Sequence, residues 1–381
     1  MQGARQTGMG HCGVSLLHGA SNIFFNPGSL GFIPQRRHLS VSFNAVDARV
    51  VYFNPSTQAQ FRNEPGIGTP FSFYAASKIT DYLSVGVGVY TPFGSSLTWQ
   101  EGWAGRFIIN SIDLKTVYVQ PTLSFKYGPI GLGIGLMLGH GSVVLQRDVP
   151  VTDQNGNLGS VELSGRDNAV GFNIGAFVEL TPGFNFGISY RTEHRYEPEK
   201  GKADFTVPQS AEQQLGDQNI KAGIPAPSNL MVGLSMDVSP RFTLSGEVNF
   251  TGWKAYDRLE IDFENNSESL RDIDEPRNWR DSESFRFGVQ YKASEKMSLR
   301  VGYSKDFSPV NPSFYSPETP DSDRSGYHMG FSYFPHKKLS VDGAFQWVEA
   351  EQIEAIHKPS GFSGVYKGRA FVYNVGVSYE F

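Results

Sequence analysis

Apolar and polar residues alternate along most of the chain after residue 38. The last run shows the pattern most clearly, because Val377, Tyr379 and Phe381 alternate with Ser378 and Glu380. Successive residues of a β-strand point to opposite faces, so this alternation predicts strands with one apolar and one polar face. The predicted strands are roughly 39–53, 70–78, 82–93, 111–127, 130–148, 160–180, 184–207, 228–238, 241–257, 284–292, 296–306, 326–334, 338–350 and 370–381.

The connections between these strands alternate in length. Short turns occur at residues 78–81, 127–129, 181–183, 239–240, 293–295 and 334–336. Long polar or proline-rich segments occur at 54–69, 94–110, 149–159, 208–227, 258–283, 307–325 and 351–369. Outer-membrane barrels have short periplasmic turns, longer extracellular loops and an even number of strands. We therefore predict an all-β fold, a transmembrane antiparallel β-barrel of about fourteen strands at residues 39–381.

The segment before the predicted barrel has a different character. Residues 3–32 are rich in Gly, Ala and Ser, contain no acidic residue and include the turn signal Asn26-Pro27-Gly28 near their end. A small, irregular segment without acidic residues that leads into a barrel indicates a plug. We predict that residues 1–38 form a hatch inside the lumen, with Gly8, Gly10 and Asn26-Pro27-Gly28 as its gate.

Composition and charge exclude several other classes of protein for this chain. The formal net charge is -5, so the chain lacks the excess of Lys and Arg that binds nucleic acid. The chain lacks any run of about 18 apolar residues, which excludes a helical membrane protein but not a barrel. It opens without a signal peptide, so we expect a mature form whose signal was removed after export to the outer membrane. A soluble propeller or sandwich is the alternative, although the repeat of about 40–50 residues that a propeller needs is not found.

No residue pattern indicates catalysis, a cofactor or a metal site. Gly8 to Gly13 match G-x-G-x-x-G, but only seven residues precede them and the first carboxylate of the chain is Asp47. The strand, helix and acidic residue that give this motif its meaning are therefore missing. The histidines lack metal-ligand spacing, and a single cysteine, Cys12, cannot form an internal disulfide. We predict that the protein is not an enzyme and holds no cofactor.

The hatch sequence resembles that of the FadL/TodX family of outer-membrane transporters for long-chain fatty acids and hydrocarbons. Residues 3–10, GARQTGMG, are similar to the opening of that family, and residues 20–28, ASNIFFNPG, are similar to its small-residue run and N-P-A box. The third box position is Gly28 rather than Ala, which we expect to loosen the backbone. Further similarity covers YTPFG at 90–94 and WAGRF at 103–107, and ends near residue 127.

The resemblance implies a 14-stranded barrel, plugged by the hatch, that carries hydrophobic molecules passively. The family has a kink in its third strand that opens the wall sideways, which would lie here at Thr91, Pro92, Phe93 and Gly94. The alternative is that Pro92 only ends the strand, since proline cannot donate to the ladder. We predict a monomer whose partners are a hydrophobic ligand and outer-membrane lipid. A protein-binding secretion shuttle of the PorV type is the alternative function.

The long loops contain aromatic residues that are candidates for ligand capture. Trp99 and Trp103 lie in the second long loop, and Phe314 and Tyr315 lie in the sixth. Exposed apolar patches usually mark binding surfaces, so we expect these residues to receive the ligand outside the cell. The alternative is that the long loops pack on one another.

A fatty-acid ligand would also need a cation for its carboxylate. Alternation places Lys126, Arg286 and Arg300 on the polar, lumen-facing side of their strands. These three residues are the candidate carboxylate contacts. The alternative for the two arginines is pairing with Glu247, Asp342 or hatch groups, which would only hold the lumen together.

Overall fold

The computed structural model describes residues 2–34, 36–198 and 201–381, and these residues contain a closed antiparallel β-barrel of 14 strands. The barrel strands are β1 Arg37–Phe53, β2 Phe71–Lys78, β3 Leu83–Tyr90, β4 Ser111–Tyr127, β5 Ile130–Thr152, β6 Leu158–Thr181, β7 Phe184–Arg191, β8 Asn229–Ser239, β9 Phe242–Thr251, β10 Ser282–Ser294, β11 Met297–Asp306, β12 Arg324–His336, β13 Leu339–Ala350 and β14 Phe362–Glu380. Pairing of β1 with β14, from His38–Glu380 to Phe53–Val365, closes the barrel. The predicted fold class and strand number are confirmed.

The barrel strands expose apolar side chains on the outside and bury polar side chains on the inside, which is the reverse of a soluble protein. In β4, Val119 and Leu123 are exposed, whereas Gln120, Thr122 and Ser124 between and beside them are buried. Apolar side chains that point outward suit a hydrocarbon environment, and buried polar side chains line the lumen. None of the helices in the described residues is long and apolar enough to cross a membrane.

The amino-terminal segment fills the lumen. It contains two short α-helices, α1 Ala4–Gly8 and α2 Asn22–Phe25, and the 3-10 helices Gly19–Ser21 and Pro27–Phe32. Most of its side chains are buried against the inner wall. The first strand begins at Arg37 rather than at residue 39, so the last residues assigned to the hatch already belong to β1.

The extracellular loops contain more regular structure than the sequence predicts. Their short strands are Gln60–Arg62, Ile67–Gly68, Gly94–Thr98, His194–Tyr196, Gly201–Thr206, Gln218–Ala222, Ile224–Ala226, Arg258–Phe263, Ile273–Pro276 and Ile353–His357. A further 3-10 helix spans Trp253–Ala255. These strands extend the barrel wall outward and bury a separate apolar cluster that includes Leu163, Ile220, Ile261 and Phe263.

Three strand boundaries were predicted wrongly. The predicted strand 241–257 ends at Thr251, because the chain turns into the 3-10 helix Trp253–Ala255. The predicted strand 184–207 ends at Arg191, because the chain leaves the ladder there and Gly201–Thr206 pairs instead with the outer end of β6. The last strand begins at Phe362 rather than at residue 370, because the outer end of β1 extends beyond the membrane and gives it a partner, as in the pair Phe53–Val365.

Candidate functional site

Asn26 fixes the hatch to the barrel wall. Its side-chain amide donates to the backbone oxygens of Val14 at 2.8 Å and Ala176 at 2.9 Å. Its side-chain oxygen accepts from the backbone N–H of Gly28 at 3.0 Å, which caps the 3-10 helix that begins at Pro27. The predicted box therefore ties the hatch to itself and to β6.

The hatch glycines allow backbone to approach backbone. A Cβ atom on Gly28 would lie 2.7 Å from the carbonyl oxygen of Gly175 and 2.8 Å from that of Gly131. Gly10 has a φ of 69°, and its Cβ would lie 2.6 Å from the carbonyl oxygen of Phe287. The Cβ of Gly8 would meet wall backbone at 3.0 Å. Gly28 thus permits close packing at the third box position, and its expected loosening of the backbone stays a prediction.

Buried charges hold the hatch from the other side of the lumen. Glu247 on β9 accepts from the backbone N–H groups of Gly13 at 2.8 Å and Val14 at 3.0 Å. The same carboxylate accepts from the Arg286 guanidinium of β10 at 3.0 Å. Arg5 of the hatch pairs with Asp342 of β13 at 3.1 Å. Paired and hydrogen-bonded in this way, the charges are costly to separate.

The other two predicted carboxylate contacts are also engaged with the protein. Arg300 donates to the side chains of Gln290 at 2.8 Å and Ser332 at 2.7 Å. The ammonium of Lys126 lies 4.1 Å from the centroid of the Phe32 ring. Arg286, Arg300 and Lys126 all lie on the lumen side, but not together at one pocket. Their role as ligand contacts stays a prediction.

The wall between β2 and β3 is interrupted above Thr91. The backbone N–H of Thr91 donates to the carbonyl of Phe71 at 3.2 Å, and the ladder resumes where the N–H of Glu64 donates to the carbonyl of Thr98 at 2.7 Å. Between these points the described chain has no hydrogen bond that joins residues 65–70 to residues 92–97. Prolines lie on both sides of the gap, and they cannot donate to a ladder.

The third strand resumes beyond this gap. Gly94–Thr98 pairs with the outer part of β4, beginning at Gly94–Lys115. Phe93 turns toward the lumen and packs against the buried aromatic cluster that contains Tyr74, Tyr90 and Tyr118. The regular strand therefore ends at Tyr90, before Pro92, and the chain continues into the separate short strand Gly94–Thr98. The role of Thr91 to Gly94 as a lateral opening stays a prediction.

The amino terminus reaches the inner edge of this gap. The Gln2 side chain donates to the backbone oxygen of Thr91 at 2.7 Å and accepts from the Tyr74 hydroxyl at 3.2 Å. Gln2 is buried at this position. The hatch thus contacts the interrupted wall directly through its first described residue.

The aromatic loop residues mostly pack inside the loops. Trp99 and Trp103 stack with ring centroids 4.3 Å apart and are buried, as is Tyr315. The indole N–H of Trp99 donates to the carbonyl of Pro317 at 3.1 Å, which links two long loops. These three residues do not form the exposed surface that we expected, because the loops have an apolar core of their own. Phe314 is only partly buried. Ligand capture by these residues stays a prediction.

Sequence reasoning missed a cavity of about 160 Å³ at the outer end of the lumen. Its lining combines apolar and charged side chains. The apolar ones include Phe107, Ile109, Leu163, Leu259, Ile261 and Ile273, and the charged or titratable ones are Arg147, Glu275, Arg277, Glu318 and His357. Such a lining suits the polar end of an amphipathic ligand together with the adjoining part of its apolar chain.

Most of the charged groups in the cavity neutralise one another. Arg277 pairs with Glu318 and, at 3.2 Å, with Glu275, while Nε2 of His357 lies 3.2 Å from Glu275. Burial alone would raise the pKa of Glu275, but the His357 hydrogen bond and the positive charges of Arg277 and Arg147 hold this pKa below its ordinary value. Glu275 is therefore ionised at neutral pH.

Of the two arginines that line this cavity, Arg277 forms ion pairs and Arg147 forms none among the described residues. Arg147 lies near the outer end of β5, and its Nε is buried without a hydrogen-bond partner in the described chain. The carboxylates of Glu275 and Glu318 are its nearest electrostatic partners. A buried donor without a partner is costly, so a ligand anion could compensate it. No sequence pattern indicates this role, since Arg147 lies within a predicted strand and Glu275 within a predicted loop.

The comparisons with known proteins decide the family. A family model described as outer membrane protein transport protein (OMPP1/FadL/TodX) matches residues 2–381. The chain belongs to this family. Its relatives are transport proteins of the outer membrane, so the predicted location is confirmed, as is the prediction that the protein is not an enzyme.

Individual relatives are distant in sequence. A putative outer membrane protein of Neisseria meningitidis serogroup B is 25% identical over 374 residues, which cover 86% of this chain and 80% of the relative. The long-chain fatty acid transport protein of Escherichia coli K12 is 20% identical over 353 residues, with 81% and 76% covered. The chain therefore shares only distant sequence similarity with each of these relatives.

Solved structures share the fold. A Pseudomonas aeruginosa FadL homologue superposes with a TM-score of 0.87 at 18% identity, with 100% of this chain and 98% of that chain covered. The Pseudomonas putida toluene transporter TodX gives a TM-score of 0.78 at 17% identity, with 100% and 98% covered. Together with the family match, this fold makes the protein a FadL/TodX-like outer-membrane transporter of fatty acids or hydrocarbons.

Proposed function

We propose that the protein is a passive channel in which hydrophobic molecules enter at the loop cavity and leave sideways between β2 and β3. The observation that carries the proposal is the interruption between residues 65–70 and 92–97. A closed barrel satisfies every backbone group, and irregular backbone at membrane depth is tolerated where it lines a cavity. A break at this place therefore supports a lateral route into the bilayer.

The loop cavity supports long-chain carboxylates as one class of ligand. Its apolar lining would hold the hydrocarbon chain, and the unpartnered Nε of Arg147 would donate to the carboxylate. The E. coli relative is named a long-chain fatty acid transport protein, and the P. putida neighbour is a toluene transporter. Fatty acids and neutral hydrocarbons are therefore the two ligand types to compare.

Buried aromatic side chains would form the path between cavity and opening. Tyr90 and Tyr118 stack with ring centroids 5.9 Å apart, and Tyr196 hydrogen-bonds to the hydroxyl of Tyr118 at 2.6 Å. Phe93 packs against the same cluster at the gap in the wall. A continuous apolar surface of this kind would let a hydrocarbon move without meeting bulk water.

The contacts of the hatch support local gating rather than expulsion of the whole hatch. Asn26, Glu247 and Arg5 fix its body at several points around the wall. Gln2 is held at the gap by two uncharged hydrogen bonds, to Thr91 and Tyr74. Its displacement would cost far less than separating the buried ion pairs.

Uptake of labelled oleate and labelled toluene into transporter-deficient cells tests this proposal. Wild type would be compared with a deletion of residues 1–10, with Arg147→Gln and with Arg166→Gln, an exposed arginine on the neighbouring strand β6. We expect saturable uptake that the deletion alters. Arg147→Gln should weaken apparent oleate affinity about tenfold and leave toluene uptake unchanged. Folded protein that takes up neither molecule above background would contradict the proposal.

A further inference from the structure

Two arginines face each other on the outside of the barrel. Arg49 on β1 is the direct cross-strand partner of Arg369 on β14. Both side chains point outward: that of Arg49 is 54% exposed and Arg369 is exposed as well. Like charges that stand directly opposite on adjacent strands are unfavourable, so the pair needs a compensating negative charge.

The protein compensates only part of this charge. Arg49 donates to the carboxylate of Asp47, with the shortest contact at 2.6 Å, and Lys367 pairs with Glu349 at 3.4 Å. Arg369 has no ion-pair partner in the residues that the structure describes. Asp47 also attracts Arg369, and Glu349 is the cross-strand neighbour of Arg369 on β13. Among the described residues of this patch, two carboxylates thus face the three cations Arg49, Arg369 and Lys367, which leaves one positive charge without a counter-ion.

Both guanidiniums stand over the same aromatic ring. The centroid of Phe371 lies 6.0 Å from Arg49 Cζ and 5.9 Å from Arg369 Cζ. The shared ring brings the two cations together and supports them from one side. Two guanidinium groups that converge in this way can donate to several oxygens of one phosphate.

The pair lies at the outer membrane interface. Tyr379, at the periplasmic end of β14, is about ten residues away from Arg369. At about 3.3 Å per residue and a tilt near 40°, this distance corresponds to about 25 Å, the height of the apolar band of a barrel. The exposed rings of Tyr327 and Trp347, in register with Phe371, mark the same level. Lipid phosphates of the outer leaflet lie at this height.

We propose that Arg49 and Arg369 bind the phosphate of an outer-leaflet lipid on the outer surface of the barrel. The acyl chains of that lipid would lie along the apolar face below, beside exposed side chains such as Tyr373 and Val375. The site is separate from the transport route, because the lumen-facing residues of β14 point to the opposite side. Its occupant is a membrane component rather than a transported ligand.

Native mass spectrometry of the detergent-solubilised full chain tests this site, with bisphosphorylated lipid A as the probe and dephosphorylated lipid A for comparison. The test variant is Arg49→Gln with Arg369→Gln. The control is Arg241→Gln with Lys292→Gln, an adjacent exposed basic pair at the periplasmic end. We expect the test variant to bind the bisphosphorylated lipid about tenfold more weakly. The control should bind like wild type.

Several results would overturn the proposal. These are unchanged binding by the Arg49/Arg369 variant, equal binding of the dephosphorylated lipid, or displacement of the lipid by millimolar inorganic phosphate. Heat-modifiable electrophoretic mobility would establish that each variant is a folded barrel before binding is compared. Because both residues lie on the outer surface, folding of the variant is expected.

Discussion

The side-chain amide of Gln2 donates to the backbone oxygen of Thr91 at 2.7 Å, which joins the start of the hatch to the interrupted part of the wall. The same side chain accepts from the Tyr74 hydroxyl. If molecules leave sideways as proposed, the hydrogen bond to Thr91 would couple the hatch to the exit without movement of the rest of the hatch. Gln2 is therefore the first residue to substitute in a test of gating.

Gln2→Ala is expected to make the channel open more readily. Loss of the hydrogen bond to Thr91 removes about 1 kcal/mol from the closed arrangement, which corresponds to a roughly fivefold larger open population. Initial rates of labelled oleate uptake would measure this change, with Gln154→Ala in an exposed loop as the control. If the variant took up oleate at the wild-type rate, Gln2 would have no part in gating.

Glu247→Ala should release the body of the hatch. The substitution leaves the Arg286 guanidinium and the N–H groups of Gly13 and Val14 without their acceptor, and breaking a buried pair costs about 3–5 kcal/mol. Limited proteolysis of the hatch would show faster cleavage than in wild type. Glu283→Ala, at an exposed position on β10, should leave cleavage unchanged. A hatch equally protected in both variants would contradict the anchoring role of Glu247.

Gly28→Ala should also destabilise the seated hatch, although Ala is the residue expected at this box position. The added methyl group would overlap the carbonyl oxygens of Gly175 and Gly131, which belong to the wall and cannot easily move. We expect a loss of about 1–3 kcal/mol, visible as faster hydrogen exchange in residues 13–32. Gly246→Ala, whose methyl group would meet only ordinary contacts, is the matched control. Equal exchange in the two variants would refute this packing argument.

Acid should loosen the loop cavity through Glu275. The folded protein holds the pKa of Glu275 below its ordinary value, so the ionised group stabilises the cavity at neutral pH. That stabilisation is fully present above the ordinary glutamate pKa of about 4.3 and is lost as the pH falls through the lowered value.

Protease cleavage of the loop at 258–283, measured by a protease active at each pH, would follow this change. Glu275→Gln should be cleaved faster than wild type at neutral pH, and the two proteins should converge in acid. Glu268→Gln, at an exposed position in the same loop, should keep the wild-type profile. If the cleavage rate of Glu275→Gln changed with pH in the same way as that of wild type, groups other than Glu275 would cause the pH dependence.

The barrel could be predicted because each of its strands carries its own local signal. Alternation such as that of Val119, Gln120 and Leu123 reveals both the strand and its two faces, and turn residues mark most ends. The segment after Arg191 was misassigned because its residues continue a strand-like pattern, yet they pair with β6 rather than with β8. Local pattern alone cannot determine the partner of a strand.

The cavity could not be predicted for a related reason. Arg147, Glu275, Glu318 and His357 are far apart in sequence, and only the folded loops bring them together. The burial of Trp99 could not be predicted either, because the loop that buries it contains Pro317 and is distant in sequence. The family resemblance indicated the hatch, whose residues are close in sequence, and the bend that it implies at Pro92 stays a prediction.

A reversible cross-link across the gap between residues 65–70 and 92–97 is the sharpest test of lateral exit between β2 and β3. The register Phe71–Thr91 and Glu64–Thr98 on either side of the gap places Gly68 opposite Gly94. Gly68→Cys with Gly94→Cys would be bridged by a bifunctional methanethiosulfonate, and the native Cys12 is buried and out of reach. Each single variant treated with the same reagent would be the control.

Uptake of labelled oleate would be measured before bridging, after bridging and after reduction. We expect the bridged protein to lose most of its uptake and reduction to restore it. Both single variants should transport normally throughout. A fully bridged protein that transports oleate at the rate of wild type would contradict lateral exit between β2 and β3.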